Sequence, residues 1–402
     1  MKLSSICQAI DEQAIERAKR LGMERDALPN LPVVKKFATI VTGVRRSGKS
    51  TLLDQWTHTR GAKTLSVHFD DLRLSSFSPD DFLLLYEVAK NRQSDAIVLD
   101  EVQNVDGWER FVTGCLDCGL QVMVTGSNAK LLSREFGTKL TGRHLNVELF
   151  PFSYDEFVRF TGTSPDERSL NEYLNVGGFP AYVESRQRMV LAELFNDILY
   201  RDIVVRYSLN DAAPIKSLAT FLLGHVGCRI SPSRLKDSIH VSSAATVLEY
   251  FNYLEETYLL QRVSRFATSP KARLSAPKKV YACDTGLVSA IEQVDEANLG
   301  HKLENLVYLK LRNREDGLSY YQHDTDDTEC DFVVEHRDGT FEAVQVAYEL
   351  NADNEEREVR GALHAMERFG LRESVLVTNN QEDLIRRDGK LVRVVPAWEW
   401  LK

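Results

Sequence analysis

The residues best placed to do chemistry lie between Gly43 and Ser50, in the order Gly-Val-Arg-Arg-Ser-Gly-Lys-Ser. This is the pattern of a phosphate-binding loop: the glycines let the backbone curl and aim N–H groups at an anion, where the following helix begins. Lys49 in that place reaches the β- and γ-phosphates of a nucleotide, and Ser50 offers a hydroxyl to Mg²⁺. Gly43, Arg46, Ser47, Gly48, Lys49, Ser50 and Thr51 are therefore the candidate nucleotide contacts, with ATP and Mg²⁺ as the implied cofactors. Because the loop presents its backbone to the phosphates, the side chains of Arg45 and Arg46 are expected to face solvent, nucleic acid or a partner. Farther on, Ala96-Ile97-Val98-Leu99-Asp100-Glu101 is an apolar run closing on two carboxylates. Asp100 is the second candidate Mg²⁺ ligand, through water or through Ser50, and Glu101 the candidate base for the attacking water. Arg143 is the candidate guanidinium for the charge that develops in phosphoryl transfer, from its own chain or a neighbour's, with a surface role as its alternative.

Elements must hold these residues in place. Phe37 to Thr42 reads as a buried strand entering the loop, and Thr51 to Trp56 as the start of the helix leaving it. Thr64 to Asp71 and Ala96 to Glu101 read as further strands of a parallel sheet, whose carboxyl ends face the nucleotide. Gln121 to Thr125 is another strand, leading into Gly126-Ser127-Asn128.

Taken together, the loop, Leu-Asp-Glu-Val-Gln at 99–103, Thr-Gly-Ser-Asn at 125–128, Leu-Thr-Gly-Arg at 140–143 and Phe-Pro-Phe-Ser-Tyr-Asp-Glu-Phe at 150–157 are similar to prokaryotic AAA-family ATPases with a C-terminal domain of unknown function. The resemblance continues through Gly177-Gly178-Phe179-Pro180, Arg201-Asp202-Ile203 and Asp284-Thr285-Gly286-Leu287, and so covers nearly the whole chain. It implies ATP binding and leaves the physiological role open. It also implies a polar sensor of the γ-phosphate at Asn128 or Ser127, where an ordinary turn is the alternative.

The expected architecture is α/β: a helical segment over 1–30, a P-loop AAA-type core with a parallel sheet over 31–150, and a helical lid over 151–210. A winged-helix domain over 211–290 and a restriction-endonuclease-like α/β domain over 291–402 complete it. The winged helix rests on three helices followed by two strands around a basic loop, with Ser242, Ser243, Thr246 and Asn252 heading the recognition helix. Arg262, Arg265, Lys271, Arg273, Lys278 and Lys279 make that stretch basic, whereas Asp324, Asp326, Asp327, Glu329 and Asp331 make a later one acidic. The wing could meet DNA phosphates, but the recognition helix carries acids and no Arg or Lys, which favours packing or protein contact. In the last domain Glu304 on a helix and Asp331 on a strand match a nuclease core. Gln345 stands where that core has an acid, Ala347 where it has a lysine, and Glu349 is the substitute acid. Each lost charge-stabilising group typically costs on the order of 10²- to 10³-fold, so an inactive shell is expected.

Composition sets the frame. The chain has 402 residues, 43% hydrophobic and 27% charged, enough for roughly two or three cores. A net charge of −9 argues against coating nucleic acid nonspecifically. No apolar run nears the ~18 residues that span a bilayer, so a cytoplasmic protein with no membrane partner is expected. Six scattered cysteines fit reduced thiols, and Cys115 and Cys118 read as core residues. The resulting expectation is an ATPase whose cycle switches its winged-helix and C-terminal domains. The alternatives are a nucleotide-gated DNA- or protein-binding module with little turnover, or an ATP-regulated nuclease using Glu304, Asp331 and Glu349. Expected partners are ATP, DNA through the wing, and a protein or a second copy of the chain.

Overall fold

A computed structural model of the protein describes residues 1–19, 21–126, 142–291, 299–312, 317–326 and 328–402. The chain forms two compact units, Met1–Phe150 with Glu256–Tyr258, and Pro151–Glu255 with Leu259–Lys402. No helix among the described residues is long and apolar enough to cross a membrane.

The first unit runs α1 (Leu3–Arg17), β1 (Ala38–Thr42), α2 (Lys49–Arg60), β2 (Thr64–His68), α3 (Asp81–Asn91), β3 (Ala96–Asp100), α4 (Trp108–Asp117), β4 (Gln121–Thr125) and β5 (His144–Glu148). Its five strands lie in the order β2-β3-β4-β1-β5, every neighbouring pair parallel. β1 and β3 are buried at every position, so β3 reads as an apolar run closed by Asp100, and β1 buries Thr39 and Thr42 along with its apolar residues. Alternate strand residues feed two cores. Ile40, Leu99 and Val124 pack beneath α1, α3 and α4, while Val41, Val98 and Met123 pack beneath Leu52, Leu53 and Trp56 of α2. Cys115 belongs to the first core and Cys118 is exposed; both are free thiols, and burial pushes Cys115 up to about 12.

The second unit opens with helices. α5 (Tyr154–Thr161) starts on a capping box between Ser153 and Glu156, and α6 (Glu167–Val176) on one between Asp166 and Ser169. α7 (Pro180–Ser185) and α8 (Met189–Asp197) follow, and the last of these continues as a π-helical stretch, Ile198–Val205. Then come α9 (Ala213–Leu223), β6 (Arg229–Ile230), α10 (Pro232–Ser238), α11 (Ala244–Glu256), β7 (Leu260–Arg265), α12 (Pro270–Ser275), β8 (Lys278–Ala282) and α13 (Thr285–Ile291). The chain ends with α14 (Leu299–Arg312), β9 (Gly317–Gln322), β10 (Glu329–Glu335), β11 (Phe341–Val346), α15 (Glu355–Phe369), β12 (Glu373–Thr378), β13 (Asp383–Arg387), β14 (Lys390–Pro396) and α16 (Ala397–Trp400).

One sheet crosses the expected boundary at 290/291. Its nine strands lie in the order β13-β14-β12-β11-β10-β9-β7-β8-β6, because β7 pairs in parallel with β9 at Ser264↔Ser319 and Arg265↔Tyr320. The segment expected as a free wing between β7 and β8 holds α12 instead of an open loop.

Two motifs far apart in sequence meet in this unit. Gly177 takes a left-handed φ of 70°, and Gly178 lies so near Phe152 that an added Cβ would fall 2.1 Å from its carbonyl oxygen. Gly286 is closer still, 1.9 Å from the Val176 carbonyl oxygen. Asp284 joins them, its Oδ2 accepting from Gly178 N at 2.6 Å and its Oδ1 from Leu287 N at 2.9 Å. Burial pushes the Asp284 carboxyl up to about 6, against the pull of those amides. Gly286→Ala must therefore move backbone, and a loss of about 3 kcal/mol, the upper end of overpacking costs, is expected. A urea transition of this unit unmoved by Gly286→Ala would contradict the contact.

Candidate functional site

The loop from Gly43 to Ser50 is shaped by residues that only glycine can replace. Gly43 has φ 144° and would drive a Cβ to 2.0 Å from Leu149 O; Gly48 has φ 97° and sits against Arg25. Arg25, buried, donates to Ser47 O at 2.7 Å and to Phe150 O at 2.8 Å, so it braces the loop from outside. Lys49 begins α2 and is 5% exposed, its Nζ donating to Gly43 O at 3.0 Å and Val44 O at 2.9 Å. The Ser47 hydroxyl is buried with no hydrogen-bond partner among the described residues. An ammonium turned into the loop, an orphaned hydroxyl and a cradle that any Cβ would fill suit a bound phosphate. Arg46 is exposed with φ 63°, Arg45 is half-buried, and Thr51 follows on the first turn of α2.

The parallel register brings the acids to the same end of the sheet as the loop. His68↔Asp100 is a register pair of β2 and β3, and His68 Nδ1 lies 2.7 Å from Asp100 Oδ2. Thr125, last in β4, donates to Asp100 Oδ1 and accepts from Glu101 N at 3.0 Å. Burial raises the Asp100 pKa, but His68, Thr125 and Ser50 outweigh it and hold the carboxyl below its usual range. The same hydrogen bond to Asp100 raises His68. A hydroxyl and an ionised carboxylate are hard oxygen donors, the kind Mg²⁺ takes. Glu101 occupies a left-handed turn, φ 52°, immediately after β3, and its carboxylate accepts from Gln103. A cavity of about 270 Å³ lined by Gln13, Arg17, Ser50, Asp54, His68 and Asp100 opens beside these groups.

Two expected members of the site fall elsewhere. Arg143 does not join the site of its own chain. Its carbonyl accepts from Ala38 N, at the start of β1, and its guanidinium pairs with Asp117 at 2.7 Å. It therefore sits at the amino end of the sheet, whereas the loop leaves the carboxyl end. Ser127 and Asn128 lie outside the described residues. Arg25, His68 and Thr125 were missed in the sequence. His68 and Thr125 could have been found by setting the ends of the parallel strands level with Asp100.

The second unit holds a separate cluster of charge. Lys279 on β8 is 2% exposed and donates to Glu304 Oε1 at 2.8 Å, Asp331 Oδ1 at 2.8 Å and Glu329 Oε1 at 2.5 Å. Tyr281 OH adds a bond to Glu304 Oε1 at 2.7 Å, and Val346 N donates to Asp331 Oδ2 at 3.0 Å. Glu304 is set by its neighbour Asn305, which pairs with both backbone groups of Ala282. Gln345 is committed to structure, accepting from Asp331 N and donating to Glu358. Glu349 corrects the sequence expectation: β11 ends at Val346, and Glu349 is exposed beyond it at the rim of a cavity of about 950 Å³. Ala347 brings no charge to these acids, and the ammonium among them comes from β8.

Burial opposes the charge on Lys279, but Asp331 and Glu304 outweigh it and keep the ammonium well above its usual range. Burial also raises Glu304, and there Lys279 prevails and holds it down. At Asp331 burial prevails over Lys279, with Glu304 and Glu329 adding to the upward push, and the carboxyl is raised well above its usual range.

Half of the basic stretch is spent within the chain, while Lys271 and Arg273 are exposed. Arg262 pairs with Glu255 at 2.5 Å, Arg265 with Asp324 at 2.5 Å, and Lys279 is buried. On α11, Ser243 accepts from Thr246 N and so caps the helix, while Val247, Phe251 and Leu254 are core. These pairings leave less positive charge for phosphates than the residue count suggested.

A parallel five-stranded α/β/α layer with a phosphate loop after β1 and acids after β3 agrees with the family comparisons: residues 35–158 match the family described as AAA domain, so this chain carries an AAA-type ATPase domain. Residues 167–298 and 299–400 match two domains of unknown function, DUF8612 and DUF4143. The chain belongs to the same family as Uncharacterized protein MJ1544 of Methanocaldococcus jannaschii, with which it is 30% identical over 95% of each chain. An uncharacterized protein of Haemophilus influenzae is 28% identical over 91% of this chain and 94% of its own. Among solved structures, AMPPCP-bound DnaA from Aquifex aeolicus aligns at 16% identity over 57% of this chain and 85% of that one, with a TM-score of 0.27, too slight to bear on architecture or activity.

Removing the buried ammonium tests the charge cluster. Lys279→Met should cost about 3 kcal/mol or more at pH 8, since carboxylates are left unpaired. The loss should shrink at pH 5: without Lys279 the folded carboxyl pKa values rise above the unfolded ones, so stability is retained at low pH and lost as pH climbs through the folded values. Urea midpoints at both pH values give the answer; equal losses would mean that charge is not what Lys279 contributes.

Proposed function

We propose that the first unit binds ATP with Mg²⁺ and hydrolyses it to ADP and phosphate. The observation that carries this is the convergence of Lys49, Ser50, Asp100 and Glu101 at one end of a parallel sheet. Lys49 leaves its loop carbonyls for the β- and γ-phosphates, and the loop amides with Ser47 cradle them. Ser50 and Asp100 hold Mg²⁺, whose positive charge offsets that of the phosphates when bound. His68 and Thr125 position Asp100. Glu101 orients the attacking water and takes its proton as the oxygen bonds to the γ-phosphorus and ADP leaves. Any contribution from Arg143 comes from a neighbouring copy, and Asn128 remains the proposed sensor. Turnover is used to switch the conformation of the second unit, and the internal pairing of Arg262, Arg265 and Lys279 favours a protein partner over DNA. Lys49→Ala should abolish binding of a fluorescent ATP analogue, while Glu101→Gln should keep binding and lower turnover by about 10²-fold or more. Unchanged turnover in Glu101→Gln would remove that residue from its role.

A second reading, metal-dependent cleavage of a phosphodiester by the second unit, is favoured by Lys279. The order α14, β9, β10, β11, α15, β12, with β11 parallel to β12, is similar to a restriction-endonuclease core. Lys279 from β8 restores an ammonium beside Glu304 and Asp331, although Gln345 remains an amide. Supercoiled plasmid incubated with the protein, ATP and Mn²⁺ should be nicked, and Asp331→Asn should prevent it. Plasmid left intact by the wild-type protein would leave the shell inactive.

A further inference from the structure

Where β9 gives way to β10, His323 opens a turn closed by its own amide, which donates to Thr328 O at 2.8 Å. The turn presents Asp326, and α15 brings His364 beside it. The two imidazole rings stack with centroids 4.0 Å apart and planes 27° from parallel. Both Nδ1 atoms face one carboxylate: His323 lies 2.9 Å from Asp326 Oδ1 and His364 3.8 Å from Oδ2. One ligand atom from each of the three residues lies within 4.8 Å of the other two. Thr328 Oγ1 stands 2.7 Å from His364 Nδ1 and 2.8 Å from Asp326 Oδ1, Thr325 Oγ1 is 3.1 Å from His323 Nδ1, and Arg360 Nε reaches Asp326 at 4.0 Å.

Hydrogen bonds hold the carboxylate and both rings against one another: Asp326 accepts from Thr328 N and Thr328 Oγ1 and faces His323 Nδ1, while His364 Nδ1 meets Thr328 Oγ1. A metal ion takes both ring lone pairs and the carboxylate at once. The side chains are 32%, 35% and 21% exposed for His323, Asp326 and His364, which leaves them room to close to bond lengths of about 2.0–2.2 Å and leaves water a fourth position.

We propose that His323, Asp326 and His364 bind one divalent transition-metal ion of the zinc class, tying the β9–β10 turn to α15. Two imidazole nitrogens and one carboxylate oxygen suit Zn²⁺, Co²⁺ or Ni²⁺ and not Mg²⁺ or Ca²⁺, which take all-oxygen sites. The site is separate from the acids around Lys279. Asp326 and Thr328 also line the cavity that holds those acids, so the ion adds positive charge at its rim.

The test is a calorimetric titration of full-length, chelator-stripped protein with Zn²⁺ in excess Mg²⁺. One ion per chain, with Kd near micromolar or tighter, and a higher unfolding temperature are expected. His323→Gln and His364→Gln should each weaken binding by about 100-fold or more, above the range typical of an outer partner. Two variants are used because α15 packs into the core and His364→Gln could perturb it, whereas His323 sits on a surface turn. Cys118→Ser should leave binding unchanged, since the Cys115 and Cys118 thiols are the competing zinc donors. Binding weaker than about 100 µM, binding that survives the double histidine variant, or binding lost in Cys118→Ser would each overturn the assignment.

Discussion

Two bases of the run from Arg262 to Lys279 meet acids of the run from Asp324 to Asp331, and Lys279 is where that match is buried. Arg265 meets Asp324, and Lys279 meets Glu329, Asp331 and Glu304, in a protein whose net charge is −9. The ladder joining the β7–β8 hairpin to β9 is only two register pairs long. Ion pairs add to that junction, and Glu304 and Asp331 have little solvent to turn to. Breaking such a buried pair is far more costly than forming it is favourable. The nine-stranded sheet thus depends on an electrostatic seam as well as on its ladder.

The first unit works under a different constraint, which is geometric. A parallel sheet has one carboxyl end, and Thr42, His68, Asp100 and Thr125 all reach it because their strands are in register. No long-range charge pairing is needed to assemble the phosphate loop beside the acids. Once β1 and β3 are neighbours of β4, chain direction alone sets them together. The same rule excludes Arg143, which precedes β5 and so lies at the other end.

That contrast explains what could be read from the sequence. The loop from Gly43 to Ser50 and the acids Asp100 and Glu101 are contiguous patterns, and each carries its own strand or helix beside it. His68, Thr125 and Arg25 have no such pattern; they matter because strand order or a turn of the N-terminal segment places them against loop or acid. The helical character of 151–210 was legible in the second unit, and α5 to α8 fall there. Its sheet was not, since the pairing of β7 with β9 links residues more than fifty positions apart.

The largest difference concerns how charge is counted. Six bases without an intervening acid read as a surface for phosphates, because a linear scan assigns each base to solvent. In the folded chain Arg262 is bound by Glu255 from the helix before it, Arg265 by an acid from the turn after β9, and Lys279 by three carboxylates. Position 347 likewise carries no charge, yet an ammonium reaches Glu304 and Asp331 from another strand. A charge run has a meaning only once the opposite run has been placed, and in this protein the opposite run lies in the same chain. Even the acids crowded round Lys279 are shared out within the chain, since Glu329 also meets Arg229 at 3.6 Å, while burial pushes the Asp331 carboxyl well above its usual range.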